Sequence, residues 1–257
     1  MIVIPDIHQN IKFAEDILSL HYNDNEEVLF LGDYFDTFNK ELPGVKKVCE
    51  FLNELYQKEN FTFLMGNHDI PYYEAYMLAK DKGAEYAHKP FKYYCSGYTN
   101  NKAKKIYKTL DYRFFRSMKL FIQKYGYTFS HAGFSPYVFS PCKNIQENLE
   151  MWLEEETNLH MTIGSPICSK IYQIGPSRGG RFVRAGGPLW LDFMEEFEPI
   201  EGLLQVVGHT GRKKSLKEWE KDGNFCIDNN QTTYMIINEK KIEIYIKGKV
   251  VMERYLS

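Results

Sequence analysis

Long apolar runs are missing from this chain. No stretch approaches 18 consecutive apolar residues, so neither a membrane span nor a membrane partner is expected. A strong charge of one sign is missing as well. Lys and Arg number 32 against 34 Asp and Glu, a formal net charge of -2. That balance supplies no broad field for nucleic acid or an anionic surface, although it is compatible with a local basic patch. Cysteines are few and scattered, at 49, 95, 142, 168 and 226, with no CxxC pair and no metal-like cluster. Such an odd set reads as reduced thiols of a cytoplasmic protein. Met1-Ile2-Val3-Ile4 has no basic segment, and Asp6 follows at once, so no export leader is expected. No Walker loop or Rossmann glycine signature appears, which argues against ATP or NAD as cofactor. With no repeat, low-complexity tract or linker, one domain over 1–257 is the expectation.

What is present is ordinary in bulk and unusual in detail. Hydrophobic residues at 44% and charged ones at 26% suit a soluble globular protein, and 257 residues can enclose a large core. Aromatics are abundant, with 19 Tyr and 18 Phe, and are expected to line a cleft or pack a lid. Tyr72, Tyr73, Tyr76, Tyr93 and Tyr94 could stack a base, with core packing as the default reading.

The first third alternates strand and helix patterns. Met1–Pro5, Val28–Leu31 and Phe61–Met65 are short apolar runs too greasy to face water. Between them, 11–20 places Ile11, Ala14, Ile17 and Leu18 on one helical face behind a capping Asn10. Residues 43–58 do the same with Val45, Val48, Cys49, Leu52 and Leu55. The pattern predicts an α/β sheet covered by helices. Residues 70–125 read as a helical insertion, with helices near 71–81 and 111–123. A strand is predicted at 127–130, an acidic helix at 144–156 and a strand at 203–207. Between them 164–188, with nine glycines and prolines, is read as loop. From about 225 to 255 the chain breaks into short strands with hairpin turns at 238–240 and Lys247-Gly248, expected to form a second, antiparallel sheet.

Polar residues recur at one kind of place. Strand one leads to Asp6 and His8, strand two to Asp33 and Asp36, and strand three to Asn67, His68 and Asp69. The strand at 127 leads to His131, and the strand at 203 to His209. A lone Asp after a strand is ordinarily a turn residue or helix cap. His21, His88 and His160 fall in that ordinary class. Five strand ends delivering His, Asp or Asn to one rim is a different matter, because ligand sites in open α/β sheets lie beyond such ends. Carboxylate, imidazole and amide oxygen together suit a borderline divalent metal. Two such metals form a catalytic clamp, with Asp33 as the natural bridge and Asp36 left to orient His68.

These segments resemble the calcineurin-like metallophosphoesterase superfamily. The motifs Asp6-Ile7-His8, Gly32-Asp33-Tyr34-Phe35-Asp36, Gly66-Asn67-His68-Asp69, Ser130-His131-Ala132-Gly133 and Gly208-His209-Thr210 stand in family order. The resemblance implies a four-layer α/β/β/α sandwich of two mixed sheets flanked by helices. It implies Asp6, His8 and Asp33 on a first metal, and Asp33, Asn67, His131 and His209 on a second. It makes His68 a general acid or phosphoryl-oxygen donor steered by Asp36. Three departures stand out. Gly211 replaces the last His of a frequent Gly-His-x-His, as in the serine/threonine protein phosphatase and dinucleoside-tetraphosphatase branches. Thr37-Phe38 replaces the Arg-Gly of those branches, and Gln9 replaces their Gly. The usual phosphate-clamping arginine is thus absent from its place. Within Ser177-Arg178-Gly179-Gly180-Arg181-Phe182-Val183-Arg184, Arg184 first and Arg178 second are the candidates to substitute, ahead of Arg212.

The expected chemistry is hydrolysis of a phosphate monoester, on a phosphoprotein or small molecule, by in-line attack of a metal-bridging hydroxide. Manganese is the preferred metal; iron, zinc, cobalt or nickel fit the same ligands. A dinucleoside polyphosphate hydrolase is the rival. A phosphodiesterase or nuclease, and a catalytically inactive metal-binding module, are the further alternatives. Nucleic acid is not an expected partner.

Overall fold

The computed structural model describes residues 1–37, 44–88, 95–139, 170–211 and 219–256. They fall into two compact units: Met1–Lys119 with Gln231–Ser257, and Leu120–Asn230.

The first unit is built on a six-stranded sheet. Strands β1 (Ile2–Ile4), β2 (Val28–Phe30) and β3 (Phe61–Phe63) run parallel, Ile2 opposite Val28 and Val28 opposite Phe61. β1 and β2 are buried at every position, which is why they read as unbroken apolar runs. The other half of the sheet comes from the tail. Strands β9 (Thr233–Ile237), β10 (Lys241–Ile246) and β11 (Lys249–Tyr255) continue it in the order β11-β10-β9-β1-β2-β3.

This corrects the expectation of a separate antiparallel tail sheet, because β9 pairs antiparallel with β1. The reason is burial: four of the five residues of Thr-Tyr-Met-Ile-Ile are buried, so β9 needs a neighbour on both sides. The hairpin turns fall where the sequence put them. Asn238 Oδ1 accepts from the amides of Lys240 and Lys241. Lys247 and Gly248 both take positive φ, as a two-residue turn matched to strand twist requires. On the edge strand β11, Met252 faces Ile244 and Val250 faces Tyr245, so Val251 bulges out and spoils the edge for further pairing.

Helices flank this sheet. Helix α1 (Ile11–His21) starts at Asn10, whose Oδ1 accepts from Phe13 N at 3.2 Å. Helix α2 (Val45–Leu55) buries the predicted stripe Val45, Val48, Cys49, Leu52 and Leu55. Helices α3 (Ile70–Lys82), α4 (Asn100–Thr109) and α5 (Tyr112–Ser117) follow. The helix expected over 111–123 stops at Ser117, and Phe121–Lys124 is strand β4. Phe114, Phe115, Met118 and Phe121 mimic a helical period, but Tyr125 and Gly126, both at positive φ, turn the chain into a hairpin.

Among the described residues, a large set of aromatics forms the core of this unit. Phe30, Phe63 and Phe114 pack with ring centroids 5.1–5.2 Å apart along the series, and Tyr34 and Phe35 join them. Tyr72 and Tyr76 belong to the same cluster, Tyr73 packs against it, and Tyr93 and Tyr94 lie outside the described residues.

One half-buried carboxyl on α3 keeps an oxygen without a partner among the described residues. Glu74 Oε2 lacks a hydrogen-bond partner among the described residues, and burial pushes the carboxyl up to about 7. A carboxyl raised in the folded state weakens the fold as pH climbs from its unfolded value toward that raised value, and the full penalty holds above it. Glu74→Gln is therefore expected to raise the melting midpoint by roughly 5 °C at pH 8 and to leave it unchanged near pH 4.5. Thermal melts across that range check it, and a pH-independent shift contradicts the assignment.

The second unit carries a five-stranded sheet in the order β4-β5-β6-β8-β7. Strands β5 (Tyr127–Ser130), β6 (Leu204–Val207) and β8 (Asn224–Cys226) are parallel, with β4 and the short β7 (Glu220–Lys221) antiparallel at the edges. The tail residues 224–226 thus join this sheet, not a hairpin sheet of their own. The helix expected over 144–156 lies outside the described residues. Residues 170–188 are loop, interrupted by short 3-10 turns at Lys170–Tyr172 and Pro176–Arg178. Both sheets are mixed, and the architecture is α/β with flanking helices.

Candidate metal centre

In the first unit, three strand-end loops are knitted together by backbone. His8 N donates to Asp33 O at 2.9 Å and Gln9 N to Tyr34 O at 3.0 Å, joining the loop after β1 to that after β2. Gln9 Nε2 adds a bond to Phe35 O. The Asp69 carboxylate joins the loop after β2 to that after β3. It accepts from Asp33 N at 2.8 Å, Tyr34 N at 2.9 Å and Gly66 N at 2.9 Å. Asp69 occupies the N-cap position of α3 yet caps nothing there, because its oxygens are committed to these amides. His8, Gln9 and Asp33 hold positive φ, a conformation non-glycine residues adopt where surrounding contacts enforce it. Gly66 is obligatory: a Cβ there would lie 2.1 Å from Asp33 Oδ1.

This frame gathers the predicted donors. Asp6, His8 and Asp33 offer one ligand atom each within 4.8 Å of one another, and both carboxylates are 1% exposed. His8 Nδ1 faces the carbonyl oxygen of Asp36 at 3.0 Å. A carbonyl only accepts, so Nδ1 donates here and Nε2 is the ring nitrogen left to face the carboxylates. That Nε2 lies 3.9 Å from Asp6 Oδ2 and 3.7 Å from Asp33 Oδ2. Two carboxylates buried this closely repel each other, and a divalent cation relieves both the repulsion and the loss of water. The donor set fits a metal.

Asn67 is buried beside Cys95. Its Nδ2 donates to Cys95 Sγ at 3.7 Å, and the thiol donates back to Asn67 O at 2.9 Å, which leaves Oδ1 as the amide's lone-pair end. Burial, then the charges of Asp33, Asp36 and Asp69, push the Cys95 thiol up, so it stays protonated.

His68 takes the place the sequence gave it. Its Nδ1 meets Asp36 Oδ2 at 3.0 Å, and its amide donates to Asp33 Oδ1 at 2.9 Å. Burial opposes a charge on this ring, but Asp33, Asp36 and Asp69 outweigh it and raise the imidazole to about 9. Sequence reading missed what holds Asp36. Tyr72 OH donates to Asp36 Oδ1 at 2.5 Å, and Lys102 Nζ reaches the same oxygen at 3.0 Å and Gly97 O at 2.7 Å. Burial and then the Asp36 charge push the Tyr72 phenol up, which keeps it a donor. No local pattern marks Lys102, which lies 66 residues from Asp36. Asp69 carried a signal in the sequence: an Asp at a helix start, one residue past His68.

In the second unit, His131 follows β5 and His209 follows β6. Gly208 N donates to His131 O at 2.8 Å, so the two loops run side by side. His131 Nε2 and His209 Nδ1 face each other at 3.2 Å, both rings buried. The Trp190 ring stands edge-on to His209, with centroids 6.1 Å apart. Imidazole nitrogens are donors of the type that suits a borderline cation. Gly211 lies against Asp228, and a Cβ there would be 2.6 Å from Asp228 Oδ2.

The two candidate arginines differ. Arg178 is partly buried, its Nη2 3.2 Å from Asp192 Oδ2 and donating to His209 O at 3.3 Å. Arg184 is exposed, with its guanidinium 4.3 Å over the Tyr137 ring. Arg212 lies outside the described residues.

Buried carboxylates and imidazoles set at strand ends are the donor types that a divalent metal centre uses. The chain belongs to the calcineurin-like phosphoesterases, whose family model matches residues 1–225. No curated protein matches it. Among solved structures it is similar to a metallophosphoesterase from Sphaerobacter thermophilus, at 15% identity and a TM-score of 0.37, covering 81% of this chain and 59% of that one. It is also similar to hypothetical protein PH1004 from Pyrococcus horikoshii OT3, at 11% identity and a TM-score of 0.45, covering 97% of this chain and 88% of that one. The chain thus spans less than two thirds of the Sphaerobacter protein. Among the described residues, no helix is long and apolar enough to cross a membrane.

Proposed function

We propose that this phosphoesterase hydrolyses phosphate monoesters, of a phosphoprotein or a small molecule, using two divalent cations, manganese foremost. The observation that carries the reading is the Asp6–His8–Asp33 set, with both carboxylates buried and His8 Nε2 turned toward them. In this proposal Asp6, His8 and Asp33 would hold one cation, and Asp33, Asn67, His131 and His209 would hold the other. When bound, such cations would supply a nucleophilic water at neutral pH and neutralise charge on the phosphoryl oxygens.

The remaining work belongs to side chains. His68, tied through Nδ1 to Asp36, presents Nε2 as the acid that protonates the leaving oxygen. Tyr72 and Lys102 saturate the far oxygen of Asp36 and so fix the dyad. Arg184, exposed and seated over Tyr137, is the arginine proposed to meet a phosphoryl group, since Arg178 is engaged by Asp192 and His209 O. No covalent phosphoenzyme is required. Cys49, Cys95 and Cys226 are buried thiols outside any disulfide, in keeping with a cytoplasmic enzyme.

Metal-stripped protein reloaded with manganese, given an aryl phosphate, a bis-aryl phosphate, a phosphopeptide and a diadenosine polyphosphate, tests the reading. Turnover of the monoesters above the diester is expected. Preference for the polyphosphate points to the rival hydrolase. Silence on every substrate with manganese, iron, zinc, cobalt and nickel ends the enzymatic reading.

A further inference from the structure

A short strap, Cys95 to Lys102, is tied to the loops that follow β2 and β3. At one end Cys95 is 4% exposed and makes two bonds to a single residue. Its thiol donates to Asn67 O at 2.9 Å, and its sulfur accepts from Asn67 Nδ2 at 3.7 Å. At the other end Lys102 Nζ donates to Asp36 Oδ1 at 3.0 Å and to Gly97 O at 2.7 Å. One ammonium thus fastens the strap to itself and to the loop after β2. Between the ends, Tyr98 N donates to Cys95 O at 3.1 Å, and the Tyr98 ring packs on Tyr72 with centroids 4.9 Å apart. Thr99 Oγ1 caps α4 by accepting from Lys102 N at 3.2 Å. Gly97 holds φ +101° beside Asp36, where a Cβ would lie 3.1 Å from the carboxylate carbon. The thiol is presented from a fixed support.

An amide side chain has two ends that are alike in shape and opposite in chemistry. Its oxygen accepts and can bind a cation, whereas its NH₂ donates and repels one. The neighbours of Asn67, not its volume, decide which end faces which way. Here the deciding neighbour is sulfur. A thiol has one hydrogen, and that of Cys95 is committed to Asn67 O. What the sulfur keeps is lone-pair density, which accepts from NH₂ and is repelled by an amide oxygen. Turning the Asn67 amide over would set oxygen against sulfur, so the contact admits one orientation. In that orientation NH₂ is held by sulfur and Oδ1 is the ligating end.

We infer that Cys95 is a positioning residue for the metal centre, setting the Asn67 amide with its oxygen as the ligating end, and that the strap through Gly97 and Lys102 holds the thiol in place to do so. The inference deepens the proposed function and rests on its assignment of Asn67 as a ligand. Partners that orient a metal ligand are worth about 10–100-fold in metal affinity, so the effect is measurable without turnover.

Calorimetric titration of the chelator-treated protein with manganese tests it. Asn67→Ala identifies the binding event that depends on the amide. Cys95→Val, which fills similar space with neither donor nor acceptor, is expected to weaken that event about tenfold. Cys95→Ala, which removes the same bonds without a branched side chain, is expected to repeat that result. Cys95→Ser, which keeps one hydrogen and its lone pairs, is expected to stay near the wild type. In the Asn67→Ala background, Cys95→Val is expected to change nothing further, because the thiol acts through the amide alone. A loss of equal size in both backgrounds makes Cys95 a packing residue and overturns the inference. Cys95→Val and Cys95→Ala proteins that titrate like the wild type also overturn it. Wild-type protein that takes up no manganese overturns the metal centre itself, a result distinct from either of these.

Discussion

Asp33→Asn is expected to lower metal-dependent hydrolysis by roughly 10³-fold and to cut tightly bound manganese from about two ions per chain to one or none. The substitution is nearly isosteric, and the reason for its effect lies in one oxygen. Oδ1 of Asp33 already accepts from the His68 amide, a bond an asparagine carbonyl can keep. Oδ2 is the atom nearest His8 Nε2, and there the variant places an NH₂ that repels a cation. The metal-free protein should respond in the opposite direction. Without a cation, Asp33 is a buried charge close to Asp6, so its neutralisation relieves repulsion and raises the melting midpoint of chelator-treated protein. Metal analysis after dialysis and melts with and without chelator read both signs. A purely structural Asp33 predicts a lower midpoint in both conditions. A variant that keeps its metal and its turnover removes Asp33 from the proposed bridge.

The same pairing of sign and position explains what could be seen in the sequence. The three parallel strands of the first unit are buried on their faces, so they stand out as short apolar runs, and the residue after each run is at a strand end by construction. Asp6, His8, Asp33, Asp36, Asn67 and His68 were legible for that reason. His131 and His209 follow β5 and β6 in the same way. The partner of β9 was not legible, because a five-residue apolar strand carries no mark of which sheet it enters. Only its burial on both flanks shows that it needs β1 as well as β10. Helix α5 was overextended because Phe114, Phe115, Met118 and Phe121 share a spacing that helix and hairpin both tolerate. Lys102 went unnoticed and Tyr72 was read only as a stacking or core residue, because their shared meaning is a single acceptor, Asp36 Oδ1, and shared acceptors have no periodicity.

That shared acceptor also decides how His68→Asn should behave. Removing the ring takes one donor from Asp36 and leaves two, Tyr72 OH and Lys102 Nζ, so the buried carboxylate is not orphaned and the loop after β2 keeps its shape. The backbone amide of position 68 still donates to Asp33 Oδ1. Metal content is therefore expected to be unchanged while the rate falls roughly 10²–10⁴-fold on an alkyl phosphate, whose leaving oxygen needs a proton. On 4-nitrophenyl phosphate, which departs as a stable phenolate, the loss should be much smaller. The ratio between the two substrates is the informative number, because a ligand or a scaffold residue would reduce both rates alike. Equal losses on the two esters would move His68 from proton donor to phosphoryl-oxygen donor. Outright loss of the metals would show that the imidazole, not merely its amide, holds Asp33 in place.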